Sequence, residues 1–281
     1  MEVALNFKNS SAKIYLNLGG SLQELFLDGK CLIQDESKFY KDNYASAVLF
    51  PFVSRIEDGK YSFFNKDYEL YCNDDKFNNA IHGLIYNKNF SVISKKESAD
   101  SSSVVIEYEA IEKNIGFPFL YKIQVEYVLS HKSFALNISI ENRDNKPFPF
   151  TIGWHPYFKS VNLSESKLFF ESDKKLELNT RLLPSKTLEI NTEIPLEIKN
   201  IEFDDCFYLN NNLIEFQTPE YKMLLKSNSK KNYLQVYTPA HRNSVAIEPQ
   251  TGISNSFNTK EGLQVLNPKE KHFVSWDLKI E

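Results

Sequence analysis

Two short stretches, GWHPYF at 153–158 and SVAIEPQTG at 244–252, set a titratable side chain into an apolar run. Read with the period of two that strands impose, Phe150, Ile152 and Trp154 share one face, and Thr151, Gly153 and His155 share the other. Val245 and Ile247 likewise oppose Ala246 and Glu248. Each titratable group is thus expected at the last position of a strand that a proline (Pro156, Pro249) terminates, on the face away from the bulky side chains. Gly153 is expected to leave room for a ligand beside His155. A carboxylate with a reference pKa of about 4.3 and an imidazole of about 6.5 are one base and one acid, the minimum set for general acid–base proton transfer.

Three further places break the apolar pattern. His82 sits between Ile81 and Gly83; Arg55 interrupts FPFVSRIEDGKY just before a turn; and Asp204 and Asp205 are enclosed by phenylalanines in FDDCF. Taken singly, each has an ordinary alternative. A lone histidine is more often a hydrogen-bonded structural residue than a catalyst, Glu248 and Arg55 could be structural partners, and Asp205 could be solvated or form a turn. His131, His241 and His272 occupy polar contexts that suggest no chemistry.

The elements that must position these groups are strands. In YKIQVEYV, FALNISIE and FVSWDLKIE apolar and polar residues alternate strictly, and AKIYLNL, LQELFLD, SVVIEYEA, NLIEFQT, YKMLLKS, YLQVYT and SVAIEP read similarly. The expectation is an all-β fold, a large antiparallel β-sandwich with little helix, forming a single domain over 1–281. ESADSSS (97–103) and SNSKK (227–231) read as hairpin tips, not domain linkers.

Composition narrows the function. The 281 residues are 42% hydrophobic and 14% aromatic, with 33 Lys plus Arg against 37 Asp plus Glu and a net charge of −4. Without a basic tract, nucleic acid is not the expected partner. The absence of a long apolar window argues against a membrane span and for a cytoplasmic chain. Cys31, Cys72 and Cys206 are widely spaced and outside any CxxC pattern, and no HExxH-like ligand pair occurs, so the three cysteines are expected to be small buried hydrophobes and no metal site is indicated.

The ordered set PFVSRIEDGKY, IHGLIYN, GWHPYF, FDDCF and IEPQTGISNSFN resembles the aldose 1-epimerase (galactose mutarotase) family from about Arg55 to Asn258, and LGGSLQELFLDGK resembles its opening strands. The resemblance implies a galactose mutarotase-like supersandwich that interconverts the α and β anomers of a free aldose without metal or cofactor. It assigns the base to Glu248, the acid to His155, a second catalytic histidine to His82, and sugar-hydroxyl binding to Arg55 and Asp204, with Asp205 as the alternative aspartate. Tyr157 and Phe158 would wall the pocket while Trp154 packs in the core, and Glu248 and Asp204 would raise the pKa of His155. The chain departs from the family at Ser54 and Ile81, where members often carry Asn. Other readings are a hexose 6-phosphate mutarotase, disfavoured by a total of four arginines, a non-catalytic carbohydrate-binding protein, and a glycosidase using two carboxylates. The partner in each case is a small-molecule sugar; the sequence leaves the oligomeric state open.

Overall fold

The computed structural model describes residues 1–281 except 36, 38, 192 and 193. Among the described residues the largest sheet has nine antiparallel strands. Their order is Ser91–Glu97, Ser102–Ala110, Tyr121–Leu129, Ser133–Asn142, Lys271–Ile280, Lys222–Ser227, Leu213–Gln217, Lys167–Phe169 and Leu196–Glu197. A second sheet runs Pro184–Glu189, Ser172–Leu178, Asp204–Leu209, Tyr233–Tyr237, Ser244–Gln250, Gly153–Trp154 and Val48–Leu49, with Tyr157–Lys159 also paired to Ser244–Gln250. The first strands, Glu2–Phe7 to Lys30–Gln34, form a four-stranded antiparallel sheet of their own. Among the described residues the one α-helix is a single turn, Ser256–Thr259. No helix among the described residues is long and apolar enough to cross a membrane.

Alternation produces the core. Along Tyr121–Leu129 every second side chain is buried, and Ile123, Val125 and Tyr127 are sealed from solvent. The other face carries polar pairs such as Lys122–Glu107 and Asn137–Glu126. Inward residues of both large sheets, among them Leu136, Trp276, Val236 and Ile247, join one continuous apolar cluster that also takes in Leu5, Ile14 and Leu25 from the first strands. Burying each such side chain contributes on the order of 1.5–3 kcal/mol, which makes register the dominant local choice.

One of the two expected hairpin tips differs from the sequence reading. ESADSSS closes a hairpin between adjacent strands as expected. SNSKK instead carries the chain from Lys222–Ser227 in the nine-stranded sheet to Tyr233–Tyr237 in the other, so it crosses between layers. Cys206 is buried, whereas Cys31 and Cys72 are only half-buried, because they lie outside the close-packed interior.

Candidate active site

Glu248 is in the interior of the strand Ser244–Gln250. Pro249 does not end that strand, contrary to the sequence expectation. The N–H of Ile247 donates to Pro156 O, so the amide nitrogen of the next odd position faces the Gly153–Lys159 segment and not the ladder to Tyr233–Tyr237, which loses no donor. Glu248 pairs across that ladder with Gln235, and Asp204 with Tyr237. One face of the sheet thereby turns Asp204, Gln235, Tyr237 and Glu248 toward a common cavity, while Val236, Val245 and Ile247 go to the core.

His155 lies where the chain leaves one short strand, Gly153–Trp154, and begins the next, Tyr157–Lys159. Its N–H donates to Ala47 O at 3.0 Å and its carbonyl accepts from Ser46 N at 2.8 Å, which fixes the backbone of a residue outside regular structure. The Tyr157 ring stacks on the imidazole at 5.1 Å. Trp154 is fully buried, as its face requires, but so is Phe158, which packs edge-on to Trp154 in the core; of the two expected pocket aromatics only Tyr157 lines the cavity. Nor does Gly153 make room for a ligand. A Cβ there would stand 2.9 Å from Val53 Cγ1 and 3.0 Å from Gln250 Cγ, so protein side chains fill that space.

Arg55 and His82 are held by a two-stranded pair, Arg55–Ile56 with Ala80–Ile81. His82 follows it in the left-handed region (φ 63°), its N–H donating to Ser54 O at 2.9 Å. Gly83 then passes so close to Phe50 that an added Cβ would lie 2.2 Å from its carbonyl oxygen, and its φ is also positive, so a glycine after the histidine is required twice over. The His82 ring meets those of Tyr44 and His155 edge-on at 4.8 and 5.0 Å.

These elements bring Arg55, His82, His155, Asp204 and Glu248 to one cavity of about 490 Å³. A wider open groove, lined by Asp58, Lys60, Glu69 and Cys72 among others, contains none of the five. His155 Nε2 is 3.3 Å from Glu248 Oε1, and the two residues are 5% and 2% exposed. Burial pushes the Glu248 carboxyl well above its usual range, with Asp204 adding to the rise while Gln250 and Arg55 oppose it. Burial also pushes His155 down to about 4. The expectation that neighbouring carboxylates raise this histidine is therefore overturned: loss of hydration dominates and lowers it, and burial of both groups favours the neutral form of the pair. Burial lowers His82 as well, followed by the charges of His155 and Arg55.

The two aspartates separate cleanly. Asp204 faces the cavity and accepts from Gln235 Nε2 at 2.8 Å; loss of hydration raises its pKa and the charge of Arg55 opposes that. Asp205 points to the other side and pairs with Lys175 at 2.9 Å. Ser54 and Ile81 both line the cavity. Among the described residues no three His, Cys, Asp or Glu side chains converge to hold a metal ion.

Several residues that line or brace the cavity escaped the sequence reading. Asp74 fixes Arg55 through Nε at 2.8 Å, and Asn73 secures Ile81 by accepting from its N–H at 2.8 Å and donating to its carbonyl at 3.1 Å. Both lie in a loop without periodicity. Gln235 and Tyr237 were legible, since they occupy the polar face of YLQVYT by the rule that placed Glu248.

The model of the family described as aldose 1-epimerase matches residues 1–279. The chain belongs to the aldose 1-epimerase family. The uncharacterized protein YihR of Escherichia coli K12 is 24% identical over 276 residues, covering 94% of this chain and 88% of its own. A galactose mutarotase-like protein from Clostridium acetobutylicum superposes with a TM-score of 0.88 at 24% identity, over 97% of this chain and 93% of its own. A galactose 1-epimerase from Lactobacillus acidophilus does so with a TM-score of 0.81 at 19% identity, over 97% and 91%. The fold of this aldose 1-epimerase family member is thus the nearly all-β, multi-sheet galactose mutarotase-like one.

Proposed function

We propose that the protein is a mutarotase acting on an uncharged aldose, with Glu248 as base, His155 as acid, and Arg55, Asp204 and His82 contacting the sugar. The observation that carries this reading is the direct apposition of His155 Nε2 and Glu248 Oε1 in a cavity of about 490 Å³, which has room for a pyranose. Family membership supports it.

Ring opening takes the proton of the C1 hydroxyl onto Glu248 and gives the His155 proton to the ring oxygen. The C1–O bond of the ring breaks, its electron pair stays on that oxygen, and C1=O forms. Rotation about C1–C2 exposes the other carbonyl face, and the reverse transfers close the ring as the other anomer. One proton suffices for the pair throughout. With that proton on Glu248 the pair has the configuration that follows opening; with it on His155, the one that precedes it. Direct contact between the groups gives an empty cavity a route between the two states.

Arg55, anchored by Asp74, offers its remaining N–H donors to hydroxyls. The aspartates in the lining (Asp42, Asp74 and Asp204) outnumber Arg55 and Lys76, which favours a neutral sugar over a phosphorylated one. The test is polarimetry on freshly dissolved galactose and glucose. Parent protein should equilibrate the anomers, and Glu248→Gln and His155→Asn should each lose about 10²–10⁴-fold in rate. Folded variants as fast as the parent would refute the assignment.

A further inference from the structure

Gln250 lies two positions beyond Glu248 on the same face of the same strand, and only 2% of it is exposed. Its Nε2 donates to Glu248 Oε2 at 3.0 Å, while the other carboxylate oxygen, Oε1, is the one facing His155. Gln250 is paired in register with Gly153, and its Cγ sits 3.0 Å from where a Cβ of that glycine would be. Gly153 is not a residue with positive φ, so its backbone does not demand glycine; the space above it does.

We propose that Gln250 is a positioning residue for proton transfer: its amide occupies one oxygen of Glu248 and leaves the other as the base, and the missing side chain at Gly153 leaves room for the Gln250 stem beside Val53. This rests on the mutarotase reading above. A hydrogen bond from the amide stabilises the ionised carboxylate and opposes the effect of burial. The other groups around Glu248 are His155 from the Gly153–Lys159 segment, Asp204 from its own strand, and Arg55, with Tyr157 and Cys206 also near. Asp204 disfavours charge on Glu248 and Arg55 favours it. Gln250 is therefore the neutral group that shifts the pair toward ionised Glu248 and protonated His155, the form that opens the ring.

That role has a kinetic signature. Burial favours the tautomer with the proton on Glu248, so the productive form is the minor one, and its population sets the plateau of kcat/KM between two limbs. Loss of the last proton, from Glu248, sets the basic limb. Raising the proton affinity of Glu248 lowers the plateau and moves the basic limb to higher pH by the same logarithmic amount. A defect of packing alone lowers the plateau and leaves the limb in place.

The experiment is the pH dependence of kcat/KM for galactose mutarotation in the parent, in Gln250→Met, which keeps the volume without a donor, and in Gly153→Ala, which crowds the Gln250 stem and Val53. The expected plateau loss is about 10- to 100-fold, the scale of a hydrogen bond to a charged group, with a matching rise of the basic limb. An unmoved limb in folded Gln250→Met overturns the proposal and leaves the mutarotase reading intact. A parent inactive on every aldose overturns that reading instead. If the variants do not fold, the assigned side-chain amide signal of Gln250 in nitrogen-15-labelled parent protein decides: it should shift with pH in step with Glu248, and a flat response rules the role out.

Discussion

His155 Nε2 and Glu248 Oε1 stand 3.3 Å apart, although one side chain comes from the interior of a strand and the other from the gap between two short ones. Such closeness makes the two a single proton-carrying unit. Replacing both, in His155→Asn/Glu248→Gln, should therefore cost scarcely more than the worse single change, since either loss disables the relay. Initial polarimetric rates of the four proteins check this; additive losses would show that the groups act independently.

Stability should respond to pH with opposite signs at the two residues. Burial lowers His155 to about 4, below its unfolded value of about 6.5, so the unfolded chain binds more protons between these values and stability is lost as pH falls through that window. Glu248 is raised, so the native state binds more protons above its unfolded value near 4.5, and stability is lost as pH rises toward the folded pKa. Glu248→Gln should match the parent in acid and become the more stable protein as pH rises, by at most about 1.4 kcal/mol per pH unit. Chemical denaturation across a pH series measures the gap; a constant offset would contradict it.

Asp74 should govern how tightly sugar is held. It binds Arg55 in a largely buried pair, and Asp74→Ala frees the guanidinium to leave its place. The expected result is a KM raised about tenfold with a smaller change in kcat, since orientation is lost and the proton pair is untouched. Steady-state kinetics on galactose separates the two constants.

The neighbouring aspartates should behave differently on removal of charge. Asp204→Asn alters a cavity carboxylate and should weaken turnover, whereas Asp205→Asn breaks only a half-exposed pair with Lys175 and should leave turnover unchanged, with stability altered by less than about 1 kcal/mol.

Gly83 and Gly29 offer an internal comparison, because both have φ near 76°. An added Cβ at Gly29 meets nothing, and Gly29→Ala should cost about 1 kcal/mol of backbone strain. At Gly83 the methyl would collide with the Phe50 carbonyl, and Gly83→Ala should be worse by several kcal/mol or fail to fold. Thermal unfolding ranks them.

Much of this was legible beforehand, for a definite reason. Long strands such as Tyr121–Leu129 have one buried face, and burial writes itself into sequence as alternation. The same rule put Trp154 in the core and turned His155 away from it. It failed at Pro249, where the effect of a proline depends on which neighbour its missing N–H would have met, and at Gly153, whose space is filled by Val53 and Gln250, both about a hundred positions away along the chain. Loop groups such as Asn73 and Asp74 left no pattern, because their roles are fixed by individual contacts, with the Ile81 backbone and the Arg55 side chain, and not by periodicity.

The strand Lys271–Ile280 lies in the middle of the nine-stranded sheet, between Ser133–Asn142 and Lys222–Ser227. During synthesis the two portions it joins must wait, each with a bare edge, until this segment clears the ribosome. Stalled or prematurely ended chains should thus be prone to clump through those edges, and a ribosome-bound chaperone has good reason to shield them.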